Sequence, residues 1–202
     1  MPDKYANFAE LAECEPSAAY AISHHQTGSS TAIVAPHGGG IEPGTSELCL
    51  QIAGEDLSWY RFEGCKAAHN GDLHITSSNF DEPTCLELIG ASRRVLTIHG
   101  ERSEENFVYI GGLHRPTIGA ILTSLDAAGF AVRQHENPNL QGQSARNICN
   151  LGQLHEGVQL EIAKGLRRQF FLGLSHDQRK QKTELCDLFC EAVRRGLEMA
   201  PV

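Results

Sequence analysis

The stretch Thr31-Ala-Ile-Val-Ala-Pro-His37-Gly-Gly-Gly-Ile-Glu42-Pro-Gly-Thr-Ser-Glu47 decides how the rest of the chain is read. Residues 31–36 form an apolar run with the length and composition of a buried strand, and 43–53 carry a helical pattern. Between them lie three consecutive glycines, which let the backbone turn at conformations that other residues avoid. Strand, sharp loop and helix in that order is the unit of an α/β sheet, where ligands gather at strand ends.

Outward from this unit the alternation continues. Residues 94–98 and 106–110 read as further buried strands, and 57–63 and 157–162, which alternate more, as half-covered ones. Helices are expected at 83–92 behind an Asp81 cap, and at 116–128 between Pro116 and Gly129. The last helix is expected at 176–199 behind Ser175, with Leu185, Leu188, Phe189 and Val193 on one face. The closeness of 94–98 to 106–110 points to an antiparallel hairpin, so the expected architecture is α/β, a mixed sheet flanked by helices on both sides. No repeat, low-complexity tract or Pro/Ser-rich linker divides the 202 residues, and 1–202 are expected to form a single domain.

Composition narrows the function classes. Apolar residues at 41% and charged residues at 21% are ordinary for a soluble globular chain. Seventeen basic against 25 acidic residues, a net charge of −8 and only 6% aromatics argue against nucleic acid as the main partner. No run of 18 apolar residues exists to span a membrane. Met1-Pro-Asp-Lys-Tyr5 lacks a signal-peptide pattern, so cytoplasmic synthesis is expected. Seven scattered cysteines without a Cys-x-x-Cys pair argue against a disulfide framework and a zinc ribbon. Cys186 and Cys190, four apart on the last helix, read as buried structural thiols.

The chemistry concentrates in the Gly-rich loop. A sharp turn can swing Glu42 back beside His37, and an imidazole with a carboxylate is an ordinary pair of zinc ligands. Two plainer readings stand beside it: a phosphate cradle of backbone amides, although the Gly-Lys-Ser/Thr ending is absent, or merely a tight turn. A third ligand should also lie at a strand end. His99 closes 94–98 and His114 follows 106–110, while His74 sits in an alternating run; His24, His25, His69, His135, His155 and His176 read as ordinary surface or hydrogen-bonded side chains. A hydrolase would also need a base that is not a ligand. Glu161, the lone carboxylate in Gly157-Val-Gln-Leu-Glu-Ile162, is the candidate, because an apolar strand buries a carboxylate only against a polar cleft or a partner. The competing reading has Glu161 and Gln159 on a solvent-facing side of the strand.

Taken together, His37-Gly-Gly-Gly-Ile-Glu42-Pro-Gly-Thr-Ser-Glu, His74-Ile-Thr-Ser-Ser-Asn-Phe-Asp-Glu-Pro83, Thr97-Ile-His99-Gly and Gly157-Val-Gln-Leu-Glu161-Ile resemble the poly-γ-glutamate hydrolase family. These are phage and bacterial zinc peptidases whose fold is similar to zinc carboxypeptidases. The matching segments run in the family's order over about residues 31–175. The resemblance implies that His37, Glu42 and His99 hold one Zn2+ per chain and that Glu161 is the general base and acid. The implied reaction cleaves the amide between a glutamate γ-carboxyl and the next amino group. An arginine would steady the oxyanion or a substrate carboxylate, with Arg146 and Arg115 as candidates and His74 as a further substrate-binding residue. Where relatives carry a basic residue after the Asn matching Asn150, this chain has Leu151. A monomer is expected, and for a phage enzyme, release on lysis.

The implied substrate is a polyanion and the protein is itself acidic. Lys164, Arg167, Arg168, Arg179, Lys180 and Lys182 make the region after Glu161 locally basic, read here as a solvated helix face. Other readings keep the metal but change the acyl-amino acid or cell-wall peptide cleaved, make the site a non-catalytic carboxylate- or metal-binding module, or use Cys149 as a nucleophile.

Overall fold

The computed structural model describes residues 3–200 and gathers seven strands into one mixed sheet. Helix α1 (Phe8–Cys14) and strand β1 (Tyr20–His25) precede β2 (Thr31–Gly39), α2 (Thr45–Ala53) and β3 (Ser58–Gly64). They are followed by α3 (Pro83–Gly90), β4 (Arg94–Glu101), β5 (Val108–Gly112) and α4 (Arg115–Ala127). Strands β6 (Val132–Arg133) and β7 (Val158–Ala163) and helices α5 (Lys164–Phe170) and α6 (Glu184–Met199) complete the chain. The sheet order is β1-β3-β2-β4-β7-β5-β6. Strands β3, β2, β4 and β7 run parallel, while β1 and β5 are antiparallel to their neighbours β3 and β7.

Strand alternation divides the core in two. Ile33, Leu96, Ile98, Leu160 and Ile162 face α2, α4 and α6 through Leu48, Ile121 and Phe189. Ala32, Val34, Tyr60, Phe62 and Val95 face the other way, onto Leu11 of α1 and Leu88 and Ile89 of α3. Helices therefore cover both faces, as the sequence predicts. From β2 the chain moves to β3 on one side, whereas β4 lies on the other. The crevice between the carboxyl ends of β2 and β4 is thus the topological switch point, where open α/β sheets bind ligands.

Three expectations are corrected. Strands 94–98 and 106–110 do not form a hairpin, because β7 inserts between them: Leu96 aligns with Val158 and Ile110 with Leu160. With apolar side chains at alternate positions, β7 serves two ladders at once, which neither partner could offer as a lone hairpin. The last helix begins at Glu184, with Thr183 capping Cys186 N, because a Phe171–Lys182 bridge and a Leu172 N–H donated to Gln181 O hold the preceding chain extended. Leu188 is 43% exposed, because the buried stripe of the helix runs through Cys186, Phe189, Cys190, Val193 and Leu197 instead. Glu82, not Asp81, caps α3 by accepting from Thr84 N and Cys85 N; Asp81 accepts from Phe8 N at the start of α1.

Candidate metal centre and its cleft

A one-residue bulge prepares the first ligand. Ala35 aligns with Arg61 but Gly38 aligns with Glu63, three steps on β2 against two on β3. Pro36, which cannot donate to a ladder, sits inside the shift. The bulge turns His37 toward Ile75 and His99, onto the face that carries α3. Next, Gly39 takes φ +62°, where a Cβ would lie 2.6 Å from Gly64 O, so the tight turn requires glycine. The loop closes with Glu42 N donating to His37 O at 2.9 Å, which returns Glu42 beside His37. Gly39 N bonds Ser46 Oγ, Gly40 N bonds Gly64 O and Ile41 N bonds Gly38 O. With these amides spent inside the protein, the phosphate-cradle reading falls.

Three side chains converge. His37 Nδ1 lies 3.3 Å from Glu42 Oε1 and 3.2 Å from His99 Nδ1, and His99 Nδ1 is 4.0 Å from Glu42 Oε2. His37 Nε2 meets Ile75 O at 2.8 Å. A carbonyl only accepts, so Nε2 carries the ring proton and Nδ1 of the neutral ring presents its lone pair. Glu42 Oε2 accepts from Gly100 N at 2.7 Å, which fixes the carboxylate. Two imidazole nitrogens and a carboxylate facing one point, with ligand atoms all within 4.8 Å, form a set able to hold a metal cation.

Electrostatics agree with a site built for a cation. Burial works against the His37 imidazolium, but the Glu42 carboxylate overrides it and raises that pKa above the ordinary value. Burial and the neighbouring His37 push His99 down to about 3. Burial would raise Glu42, yet His37, His99 and the Gly100 amide hold it well below the usual carboxylate range.

Glu161 stands next to His99 across the β4–β7 ladder. It lines a cleft of about 260 Å³ with His37, Glu42, His74, His99, Ser77, Asn147 and Gln159. The reading of a solvent-facing side is overturned: Gln159 is only 4% exposed and donates to Leu140 O and Glu161 Oε1, while Asn147 donates to its oxygen. Burial pushes the Glu161 carboxyl well above its ordinary pKa, reinforced by Glu42 and Glu101 and opposed by Arg167. His74 stacks on His37 with ring centroids 4.0 Å apart, its Nδ1 held by Asp3 at 2.7 Å and its Nε2 3.9 Å from Glu42 Oε1.

One residue of the site escaped the sequence reading. Arg167, expected on a solvated face, is 3% exposed, and Arg179 is buried too, bonded to Glu47. The Arg167 guanidinium donates to Ile162 O and Glu101 O, each at 2.9 Å, and to Pro43 O. These carbonyls lie one residue beyond Glu161, two beyond His99 and one beyond Glu42. A Cβ on Gly100 would stand 2.6 Å from Arg167 Cζ, so glycine there makes room for the guanidinium.

The sequence candidates do not all gather. Because β5 is antiparallel to β7, its end at Gly112 aligns with Val158, at the start of β7. His114 and the exposed Arg115 therefore sit at the opposite end of the sheet, with His114 Nδ1 2.7 Å from Thr117 Oγ1. Arg146 is exposed on the loop whose Ser144 and Asn147 line the cleft, but does not itself line it. Cys149 is buried, and burial pushes its thiol far above the ordinary value, against a nucleophilic role.

The model of the poly-γ-glutamate hydrolase family matches residues 5–192. The chain belongs to that family. Its relatives include Bacillus subtilis YmaC, 39% identical over 182 residues that cover 89% of this chain and 77% of YmaC. A solved bacteriophage poly-γ-glutamate hydrolase superposes with a TM-score of 0.94 at 29% identity, covering 98% of this chain and 97% of that one. YndL in its apo, zinc-free form gives 0.92 at 35% identity, covering 98% of each chain. This member of the poly-γ-glutamate hydrolase family is thus an enzyme of peptidase type, and no helix among its described residues is long and apolar enough to cross a membrane.

Proposed function

We propose that this chain is a zinc-dependent hydrolase that cleaves γ-glutamyl amide bonds of poly-γ-glutamate, with residues 1–202 acting as one monomeric domain. His37, Glu42 and His99 would hold one zinc per chain through Nδ1, the carboxylate and Nδ1. The observation that carries this reading is the spacing of those atoms. Tetrahedral ligands at about 2.05 Å from zinc stand roughly 3.4 Å apart; here His37 Nδ1 lies 3.2 Å from His99 Nδ1 and 3.3 Å from Glu42 Oε1, and the other carboxylate oxygen, Oε2, lies 4.0 Å from His99 Nδ1. That a zinc-free form is specified for YndL adds support. A zinc ion bound there supplies Lewis-acid polarisation of the amide carbonyl and lowers the pKa of water.

The chain's own groups do the rest. Glu161 takes the proton released by the attacking water and hands it to the amine nitrogen as the C–N bond breaks. Its raised pKa suits a group that must first accept and then donate. His74, oriented by Asp3, turns Nε2 to the cleft and would meet substrate beside Glu42. Arg146, on the cleft's outer loop, is left for a substrate carboxylate; Arg115, at the far end of the sheet, is not.

The test compares wild type with Glu161→Gln on γ-linked and α-linked polyglutamate. The reading expects wild type to cleave only the γ-linked polymer. Glu161→Gln should keep its zinc while kcat falls by about 10²–10⁴-fold. Cleavage of the α-linked polymer alone, or full activity in Glu161→Gln, would overturn it.

A further inference from the structure

Beside the metal cleft lies a second, larger arm of about 460 Å³, which meets the first at Glu42 and His74. The two arms differ in charge. Beyond its histidines, Glu42 and Glu161, the metal arm is lined mostly by neutral groups such as Ser77, Asn147 and Gln159. The second arm is lined by four cations and three carboxylates, and what matters is which of them are already engaged.

Every carboxylate of that arm has a partner. Asp3 accepts from His74 and Thr76 N, Glu42 faces His37, and Asp72 lies 3.5 and 3.7 Å from Lys4 and Lys66. Two of the cations are engaged as well, Lys4 with Glu15 at 3.3 Å and Lys164 with Glu104 at 2.6 Å. Two guanidiniums remain without a carboxylate within 4.0 Å among the described residues, Arg102 and Arg167. Arg102 is exposed. Arg167 is buried and spends three of its five N–H donors on backbone carbonyls, leaving its charge unmatched by any ion pair. An arginine fork of this kind matches the two oxygens of a carboxylate.

We propose that this second arm is a carboxylate subsite, with Arg167 at its floor and Arg102 at its rim pairing α-carboxylates of the γ-linked chain beside the bond that is cleaved. The inference rests on the γ-linked substrate proposed above, whose every residue carries one free α-carboxylate. It also explains how a protein of net charge −8 accepts a polyanion: two guanidiniums outside any ion pair lie in the arm, where its walls focus their charge, although Glu42, Glu101 and Glu161 also act on Arg167.

The experiment uses the zinc-loaded protein, γ-linked oligoglutamate, and the same oligomer with its α-carboxylates converted to neutral amides. Arg102→Gln changes an exposed residue and should leave the melting temperature unchanged. It is expected to raise KM for the free acid roughly tenfold with kcat within about twofold, and to leave KM for the amidated oligomer as in wild type. Arg168→Gln removes the same charge from a neighbouring exposed site that does not line the arm, and should leave KM unchanged. Equal KM increases in both variants would reduce the effect to a general field and overturn the subsite, as would an unchanged KM in Arg102→Gln while wild type cleaves the γ-linked oligomer. Failure of wild type to cleave that oligomer would instead overturn the reading of function beneath it.

Discussion

Two buried arginines sit at opposite ends of the same sheet, and both donate to backbone carbonyls, Arg94 also to a hydroxyl. At one end Arg94 donates to Thr31 Oγ1 at 3.1 and 3.2 Å, to Leu197 O at 3.0 Å and to Ala200 O at 3.3 Å. Those carbonyls belong to the end of α6, where a helix leaves acceptors without intrahelical donors and favours a positive charge. At the other end Arg167 donates to Pro43, Glu101 and Ile162, each one or two residues beyond a member of the candidate site. The chemistry of burial is the same, and the difference lies in whose carbonyls are held. Arg94 fastens the last helix to the sheet, whereas Arg167 ties together the chain segments that carry Glu42, His99 and Glu161.

The histidines repeat the contrast and give the largest expected effect. His99→Ala, at the carboxyl end of β4, should lower turnover by more than about 100-fold, while His114→Ala, at the far end, should leave it within about twofold. Steady-state assays of the two variants decide this, and comparable losses would erase the distinction between the ends. The arginines come next. Arg167→Met should lower kcat by about 10–100-fold and weaken zinc binding, with Arg167→Lys recovering part of the loss because it keeps the charge without the fork. Arg94→Met should spare kcat but cost about 1–3 kcal/mol for the acceptors it abandons, a fall of several degrees at roughly 2–4 °C per kcal/mol in a chain of this size. Kinetics and thermal melts on the same preparations separate the two outcomes.

The smallest effect is one of pH. The folded pKa of Glu161 lies above its unfolded value of about 4.3, so the folded protein retains a proton that the unfolded chain releases. Stability from this group is fully present below about pH 4 and is lost as pH rises through the folded value. Glu161→Gln does not titrate and escapes that loss. With chelator present, its melting temperature should match wild type near pH 4 and exceed it at pH 8. A site carved for function at some expense of stability predicts this sign; a lower melting temperature for Glu161→Gln at pH 8 would contradict it.

Much of this end of the molecule is legible in the sequence, for physical reasons. Strands β2 and β4 are buried on both faces, so they read as apolar runs that His37 interrupts and His99 ends. Strand β7 is buried as well, although its alternation of Gln159 and Glu161 with apolar residues reads as a half-covered strand, because both polar side chains turn into the cleft rather than to solvent. Three glycines announce the turn that returns Glu42. What is not legible depends on partners distant in sequence. Strand β1, Tyr-Ala-Ile-Ser-His-His, lies at the sheet edge with no fully buried residue, so it offers no apolar run to find. The place of β7 between β4 and β5 follows from pairing across some fifty residues of chain. Arg167 hides among basic neighbours: Arg168 beside it is exposed and pairs with Glu104, and nothing in Lys-Gly-Leu-Arg-Arg-Gln-Phe distinguishes the buried arginine from the solvated one. The antiparallel course of β5 is likewise what carries Arg115 away from the cleft.

If His37, Glu42 and His99 hold one zinc, elemental analysis of purified protein should detect it. Wild type and His37→Ala would be incubated with zinc, freed of excess metal and measured for zinc per chain, with circular dichroism to show that both are folded. About one zinc per wild-type chain and a large loss in folded His37→Ala are expected. No zinc in wild type, or an undiminished content in His37→Ala, would contradict that ligand set.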